Sequence, residues 1–588
     1  MEIKLRLRND THERKSTGIS MAFFVRESGY LAGFCDHEYK LGDSEMKKRV
    51  FFLLSAICFA AVTACAGKEP SPETKEPDTV WDSGKNSHET PVPDAADEPA
   101  SEPADESEAE TVEQYESVPY RIYPVSENAW VGDVMPMADE NGLQLYYLYD
   151  TDHNGAGYHP IYKFSTTNLY EYSDDGLAIP FGDSMDDPDL AIGTGSVLKD
   201  RDGRYHCFYT GHNDTFPEAG KDKECVMHAV SEDNVNWTKI PEDTFYAAEN
   251  YSGDDFRDPF VFWNEEEQCY WMLIAAREDS LGGVVARYTS TDLSAWTLCD
   301  PLYAPETLYM LECPDLFRMG DYYYLFYSWE RVTFYAMSNS IYGPFVAPPD
   351  NVLDGTGFCF YAAKTAEFEG HRYLCGWIGR KPEPKDTGYY DWAGSLLIHE
   401  LVQKEDGTLG VREPSGLQDY FVTEKTPVVK KTLGEVQEKD GAYLLCAAAD
   451  EVALADFGMR VPSMLLECTV SLGEEGYAGF AFGMGDEYGT YTGLVLDAKN
   501  NSVHFEGCVL SRIAYVEPMI ETSFNFEPDK EYHVKLVMEN EIVILYIDDT
   551  KALSNRIYKS VDGAHWGIFS SNTEAVFRDI SIRIPSAR

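Results

Sequence analysis

Three carboxylates stand in similar surroundings at wide intervals along this 588-residue chain. Asp133 lies in Trp130-Val131-Gly132-Asp133-Val134-Met135-Pro136, and Asp258 in Asp255-Phe256-Arg257-Asp258-Pro259-Phe260. Glu312 lies in Met310-Leu311-Glu312-Cys313-Pro314-Asp315-Leu316. Each has apolar or proline neighbours and precedes a strand-forming segment. Cleaving a glycosidic bond usually takes two carboxyl groups, one as acid and one as nucleophile or base. An acid that must hold its proton near neutral pH needs a raised pKa, which apolar flanks and a neighbouring carboxylate both favour. Taken singly, each residue reads first as a turn-capping acid, since Asp-Pro commonly starts turns. They do chemistry only if the fold brings them together.

The elements that could do so are short aromatic strands. Leu145–Asp150, Tyr205–Gly211, Tyr270–Ala276, Tyr322–Ser328 and Tyr373–Trp377 start roughly 50–65 residues apart, a period that in an all-β chain means propeller blades. Some are followed by a second unit ending in an aromatic, as in Ser231-Glu232-Asp233-Asn234-Val235-Asn236-Trp237 and Ser290-Thr291-Asp292-Leu293-Ser294-Ala295-Trp296. A blade cannot bury both faces alone, so neighbours stack around an axis where distant residues meet. Residues 119–425 therefore predict a five-bladed β-propeller. From 426 to 588 the rhythm changes to alternating strands such as Ser463–Val470, Tyr532–Met538 and Ile542–Ile547, which predict a β-sandwich.

With those motifs in order, the chain resembles glycoside hydrolase family 32, the invertases, inulinases and levanases. Trp130-x-x-Asp133 is similar to the family's Trp-Met-Asn-Asp-Pro-Asn-Gly, Arg257-Asp258-Pro259 to its Arg-Asp-Pro, and Glu312-Cys313 to its Glu-Cys. Gly193-Thr194-Gly195-Ser196, Phe360-Tyr361-Ala362-Ala363-Lys364, Gly376-Trp377 and Trp392-Ala393-Gly394-Ser395-Leu396 resemble its other stretches. The resemblance implies an all-β propeller-plus-sandwich enzyme that cleaves terminal β-fructofuranosyl linkages with retention. Asp133 would be nucleophile, Glu312 acid and base, and Asp258 with Arg257 would hold fructosyl hydroxyls. Trp130 would form an apolar wall, with Thr194, Ser196, Tyr361, Lys364 and Trp392 also implied to bind substrate. An inverting arabinan- or xylan-type hydrolase and a non-catalytic carbohydrate binder are the rival readings. The chain departs from the family at Gly132 in place of Asn, at Val134-Met135-Pro136, at Tyr158-His159-Pro160-Ile161-Tyr162 and at Ile398-His399-Glu400-Leu401.

Charge and cysteines fill in the setting. The formal charge is −53, which argues against nucleic acid and anionic membrane surfaces as partners and leaves a neutral or cationic one; the family resemblance implies a carbohydrate, a fructan or fructosyl oligosaccharide. Residues 1–45 fit no targeting logic and read as lying upstream of the true start, Met46. Met46-Lys47-Lys48-Arg49 and the apolar run Val50–Ala61, ending at Cys65, predict a lipoprotein signal over 46–65 with lipidation of Cys65. Contact with a membrane would be through that anchor alone, with the protein on a bacterial cell surface. Residues 66–118 hold sixteen acids and three bases and predict an extended tether. The ten cysteines after Cys65 lack paired spacings and read as mostly buried thiols, with Cys313 tuning the surroundings of Glu312. His159 and His212 fall in loops expected at the axial mouth, where they could touch substrate, but read first as solvent-facing or core-satisfied; Asp186-Asp187-Pro188-Asp189 could bind a cation but reads first as a solvated loop. No cofactor or metal is expected.

Overall fold

The computed structural model describes residues 18–19, 39–40, 117–151, 158–485, 488–509, 518–560 and 565–586. The expected signal, Cys65 and all but the end of the tether lie outside the described residues. Two compact units divide at Ser107 and Glu108. In the first, Gly18–Ile19 pairs antiparallel with Tyr39–Lys40. All else below belongs to the second.

The regular structure of the second unit is almost entirely antiparallel strand. Five small sheets follow one another along the chain, with inner strands Trp130–Asp139, Ala191–Lys199, Phe256–Asn264, Glu312–Met319 and Tyr361–Phe368. Each inner strand pairs with the aromatic run that the sequence repeats, for example Glu312 to Met319 against Ser328 to Tyr322. Successive inner strands touch, and the fifth returns to touch the first. The ring is closed, a five-bladed propeller. A bridge between Gly394 and Val131 joins the last blade to the first. The aromatic runs fill the space between blades: Tyr146, Tyr147, Tyr209, Trp271 and Tyr324 are fully buried. Aromatic and β-branched side chains suit this position because they pack broadly on a pleated face.

Two further sheets form the sandwich. One contains Ser463–Leu472, Tyr532–Glu539, Ile542–Ile547 and Glu574–Pro585; the other contains Val452–Met459, Tyr477–Met484 and His565–Ser571. Phe421–Lys425, which the sequence reading left with the propeller, pairs with Glu574–Pro585 and so belongs to the sandwich. The two bodies are locked by buried polar groups. Asp354, in the loop before the fifth blade, accepts from the backbone N–H of Ser554 at 2.8 Å and faces His399 Nε2 at 3.0 Å. His399 Nδ1 in turn meets Tyr546 Oη at 2.9 Å. The departure at His399 is thus an interdomain contact rather than a feature of the axial mouth. Ahead of the first blade, the N–H groups of Arg121 and Ile122 donate to Glu539 of the sandwich at 3.0 and 3.1 Å.

Among the described residues, Cys207, Cys225, Cys313, Cys359, Cys375 and Cys468 are buried free thiols, while Cys269, Cys299 and Cys446 are partly exposed ones.

Candidate active site

Every inner strand of the propeller carries a bulge near its axial end. The register shifts between Gly132 and Met135, Gly193 and Gly195, Arg257 and Phe260, Glu312 and Asp315, and Tyr361 and Lys364. A bulge leaves a residue unpaired and re-aims its side chain. Asp133 and Asp258 occupy such positions with φ of 29° and 61°, and Cys313, beside Glu312, has φ 54°. Left-handed backbone at non-glycine residues persists only where the surroundings over-determine it. Here three strands spend that strain to turn carboxylates onto the axis. Asp133, Asp258 and Glu312 line one cavity of about 400 Å³, together with Thr194, Arg257, Tyr361, Trp392, Phe358 and others.

Each carboxylate has its own set of donors. Trp377 Nε1 donates to Asp133 Oδ1 at 3.0 Å, and Thr194 Oγ1 donates to the Asp133 carbonyl at 3.1 Å. Burial above all, then the charge of Asp258, pushes the Asp133 carboxyl up to about 7, against the pull of the Trp377 N–H. Asp258 Oδ2 accepts the backbone N–H of Cys313 at 2.9 Å, and its own N–H donates to Thr210 Oγ1 at 2.8 Å. Burial raises Asp258 to about 6, with Arg257 and Lys364 restraining the rise. Glu312 Oε1 accepts from Arg257 Nη2 at 3.0 Å and Oε2 from Tyr361 Oη at 2.5 Å. Asp133 and Asp258 thus retain protons at pH values where isolated carboxyls have lost them.

Of the residues implied to bind substrate, Thr194, Arg257, Tyr361 and Trp392 line the cavity, whereas Trp130, Ser196 and Lys364 are not among its walls. Trp130, paired opposite Asp150, precedes the bulge that turns Asp133 onto the axis, and it does not share the direction of that carboxylate. Trp130 lies instead beside the Arg380 guanidinium, 6.0 Å from its ring centre, and Trp392 and Phe358 supply the apolar wall. Ser196 clamps two blades, donating to the Pro259 carbonyl and accepting from the Val261 N–H, both at 2.9 Å. Lys364 is buried and donates across the axis to the Gly195 carbonyl. It acts on the site through its charge, which favours the ionised forms of Asp133 and Asp258.

Cys313 also serves a different neighbour from the one expected. Its N–H and its thiol, 3.7 Å away, both face Asp258 rather than Glu312. Burial pushes that thiol well above its ordinary range, so it is no nucleophile. His159 and His212 both line the cavity, as their alternative reading as axial-loop residues near substrate expects. His159 Nε2 is 3.3 Å from Asp150 Oδ1, and its ring rests 4.6 Å from that of Trp392. Asp189 of the acidic loop is buried and accepts from Tyr209 Oη at 3.0 Å and from Lys239 Nζ. Among the described residues no cluster of His, Cys, Asp and Glu is arranged to hold a metal ion.

Two residues escaped the sequence reading. Trp377 was quoted only as part of a motif, yet it touches Asp133. Glu224, at the start of the third strand of the second blade, lines the cavity and binds Arg257 Nη1 at 3.2 Å. No local pattern marks it, because its partner is supplied by the next blade. The departure at Gly132 has a cause as well. A Cβ there would lie 2.3 Å from Cη2 of Trp392, so the indole fills the space that the family's Asn would need.

Comparison with known proteins agrees with this geometry. Residues 126–409 match the family description "Glycosyl hydrolases family 32 N-terminal domain". The chain is 27% identical over 481 residues to raffinose invertase of Escherichia coli, covering 75% of this chain and 91% of that protein. It is 21% identical over 503 residues to the levanbiose-producing levanase of Bacillus subtilis, covering 77% and 88%. The exo-inulinase of Aspergillus awamori superposes with a TM-score of 0.62 at 16% identity, over 80% of this chain and 98% of that one. Fructan 1-exohydrolase IIa of Cichorium intybus gives 0.63 at 15%, with the same coverage; both share the fold. With its motifs and its closed ring of blades, the propeller of this chain is a glycosyl hydrolases family 32 N-terminal domain over residues 126–409.

Proposed function

We propose that this protein hydrolyses terminal β-fructofuranosyl linkages in fructans, fructo-oligosaccharides or sucrose, with retention at the anomeric carbon. The observation that carries the reading is the convergence of Asp133, Asp258 and Glu312, from three separate blades, in one cavity. Asp133 attacks the anomeric carbon and forms a covalent fructosyl intermediate while Glu312 gives its proton to the leaving oxygen. Glu312 then takes a proton from water, which hydrolyses the intermediate. Asp258 holds ring hydroxyls and stabilises the positive charge that develops. Arg257, gripped by Glu224 and Glu312, orients Glu312 more than it meets sugar. Trp392 and Phe358 present apolar rings to the substrate.

The relatives named above act on raffinose and levan, which supports a neutral fructoside. The test is product analysis of the purified full chain on sucrose, raffinose, inulin and levan. Free fructose should appear from at least one, and Asp133→Asn should abolish it while circular dichroism is unchanged. Full turnover by Asp133→Asn would overturn the roles assigned.

The basic start at Met46, the apolar run after it and the final Cys65 support a surface lipoprotein, tethered by residues 66–118. Labelled palmitate should enter the wild-type chain but not Cys65→Ala, which should appear in the soluble fraction. Equal labelling of the two would refute the anchor.

A further inference from the structure

Five charged groups stand in a row from the cavity rim to Glu312, and their signs alternate. His212 Nε2 is 3.0 Å from Asp214 Oδ1, and His212 Nδ1 is 3.3 Å from Glu224 Oε1. Glu224 Oε2 takes Arg257 Nη1 at 3.2 Å, and Arg257 Nη2 reaches Glu312 Oε1 at 3.0 Å. All five residues line the cavity. Both ring nitrogens of His212 face carboxylates, and a carboxylate only accepts, so both must carry hydrogen. The geometry is that of an imidazolium. Burial opposes that charge, but the hydrogen bonds to Glu224 and Asp214 outweigh it, and the net shift of His212 is upward.

We infer that His212 and Glu224 are positioning residues that set how strongly Arg257 holds Glu312, and so over what pH range Glu312 keeps the proton it must donate. This rests on the function proposed above. Arg257 sets its positive charge against Glu312 Oε1 at 3.0 Å. Glu224 draws the same guanidinium the other way, and the His212 charge moderates that draw. Other charged groups bear on the row without breaking it. Asp255 meets Arg257 Nη1 at 3.4 Å but is itself held by Arg277 Nε at 2.7 Å and Tyr309 Oη at 3.0 Å. Tyr361 donates to the other oxygen of Glu312, while Asp133, Asp258 and Lys364 act on the site as described above.

The signature is a pair of opposite shifts. Glu224→Gln removes a negative charge one guanidinium away from Glu312 while keeping an acceptor for the Phe256 N–H, now bound at 2.8 Å. The basic limb of kcat/KM for fructoside hydrolysis should then move down, on the order of one pH unit. His212→Gln leaves Glu224 unbalanced, and the same limb should move up by a smaller amount. A purely structural role would lower activity at every pH without moving the limb, and that result would overturn the inference.

A second measurement judges the inference without turnover. In NMR titrations of the full chain, the imidazole signal that His212→Gln deletes should titrate at lower pH in Glu224→Gln than in wild type. An unmoved midpoint would overturn the relay even if the enzyme is active. Should the wild-type protein cleave no fructoside, the functional reading falls, and the imidazole titration still decides whether the relay exists.

Discussion

Trp377→Phe removes the indole donor from the carboxylate of the proposed nucleophile. Wild-type Trp377 Nε1 gives Asp133 Oδ1 a hydrogen bond of 3.0 Å, and burial has already pushed that carboxyl to about 7. Hydrogen bonds to charged groups contribute about 1.5–3 kcal/mol, and one pKa unit corresponds to about 1.4 kcal/mol. Loss of the donor should therefore raise the acidic limb of kcat/KM by about 1–2 units, to about 8–9. At pH 6 the variant should fall a further 10- to 100-fold or so behind wild type, with a narrower bell and a smaller deficit at its alkaline side. Trp377 is fully buried, so phenylalanine also leaves a void that costs stability. Rates are accordingly compared at a temperature where circular dichroism reports both proteins folded. A loss equal at all pH values, with the acidic limb unmoved, would refute a role for this donor in ionising Asp133.

Two further outcomes follow from the same geometry. Asp133 is raised in the folded state, so the native protein binds its proton more tightly than the unfolded chain. Its contribution to stability is therefore complete below about pH 4 and is lost as pH rises through about 7. A rise from 3.8 to about 7 caps that loss at about 4 kcal/mol. Asp133→Asn should melt above wild type at pH 8 and together with it at pH 4; an equal difference at both would contradict the shift. Gly132→Ala places a Cβ 2.3 Å from Trp392 and should displace the indole at a cost of about 1–3 kcal/mol. A raised KM and a lower melting temperature are expected, and unchanged values of both would mean the wall yields freely.

The sequence showed the architecture because each blade repeats its aromatic strand, and repetition is visible without contacts. Asp133, Asp258 and Glu312 were legible because a bulge on an inner strand needs a short, distinctive string around it. The walls were harder. Trp130 lies in the same string as Asp133, but only the register shift between Gly132 and Met135 shows that the carboxylate turns onto the axis and the indole does not. Lys364 and Ser196 sit in motifs whose work is to bind blades to one another, so their position in a motif did not mean contact with the cavity. Glu224 and Trp377 act through partners on other blades, at Arg257 and Asp133, and His212 acts through its cross-strand neighbour Glu224. Long-range pairing of that kind leaves no spacing to read. His399, a departure from the family pattern, is part of the seam with the sandwich.

The central claim is a double displacement, with Asp133 as nucleophile and Glu312 as acid and then base. The most direct measurement is proton NMR of the first anomer released by the full chain from a cleaved fructoside, read before mutarotation. Retention requires the two carboxyls to attack and protonate from opposite sides of one linkage, at about 5–5.5 Å from each other. The account predicts that β-fructofuranose signals appear first and then decay toward the equilibrium mixture. Initial release of the α-anomer would contradict it, and would leave Asp133 as a base for water rather than a nucleophile.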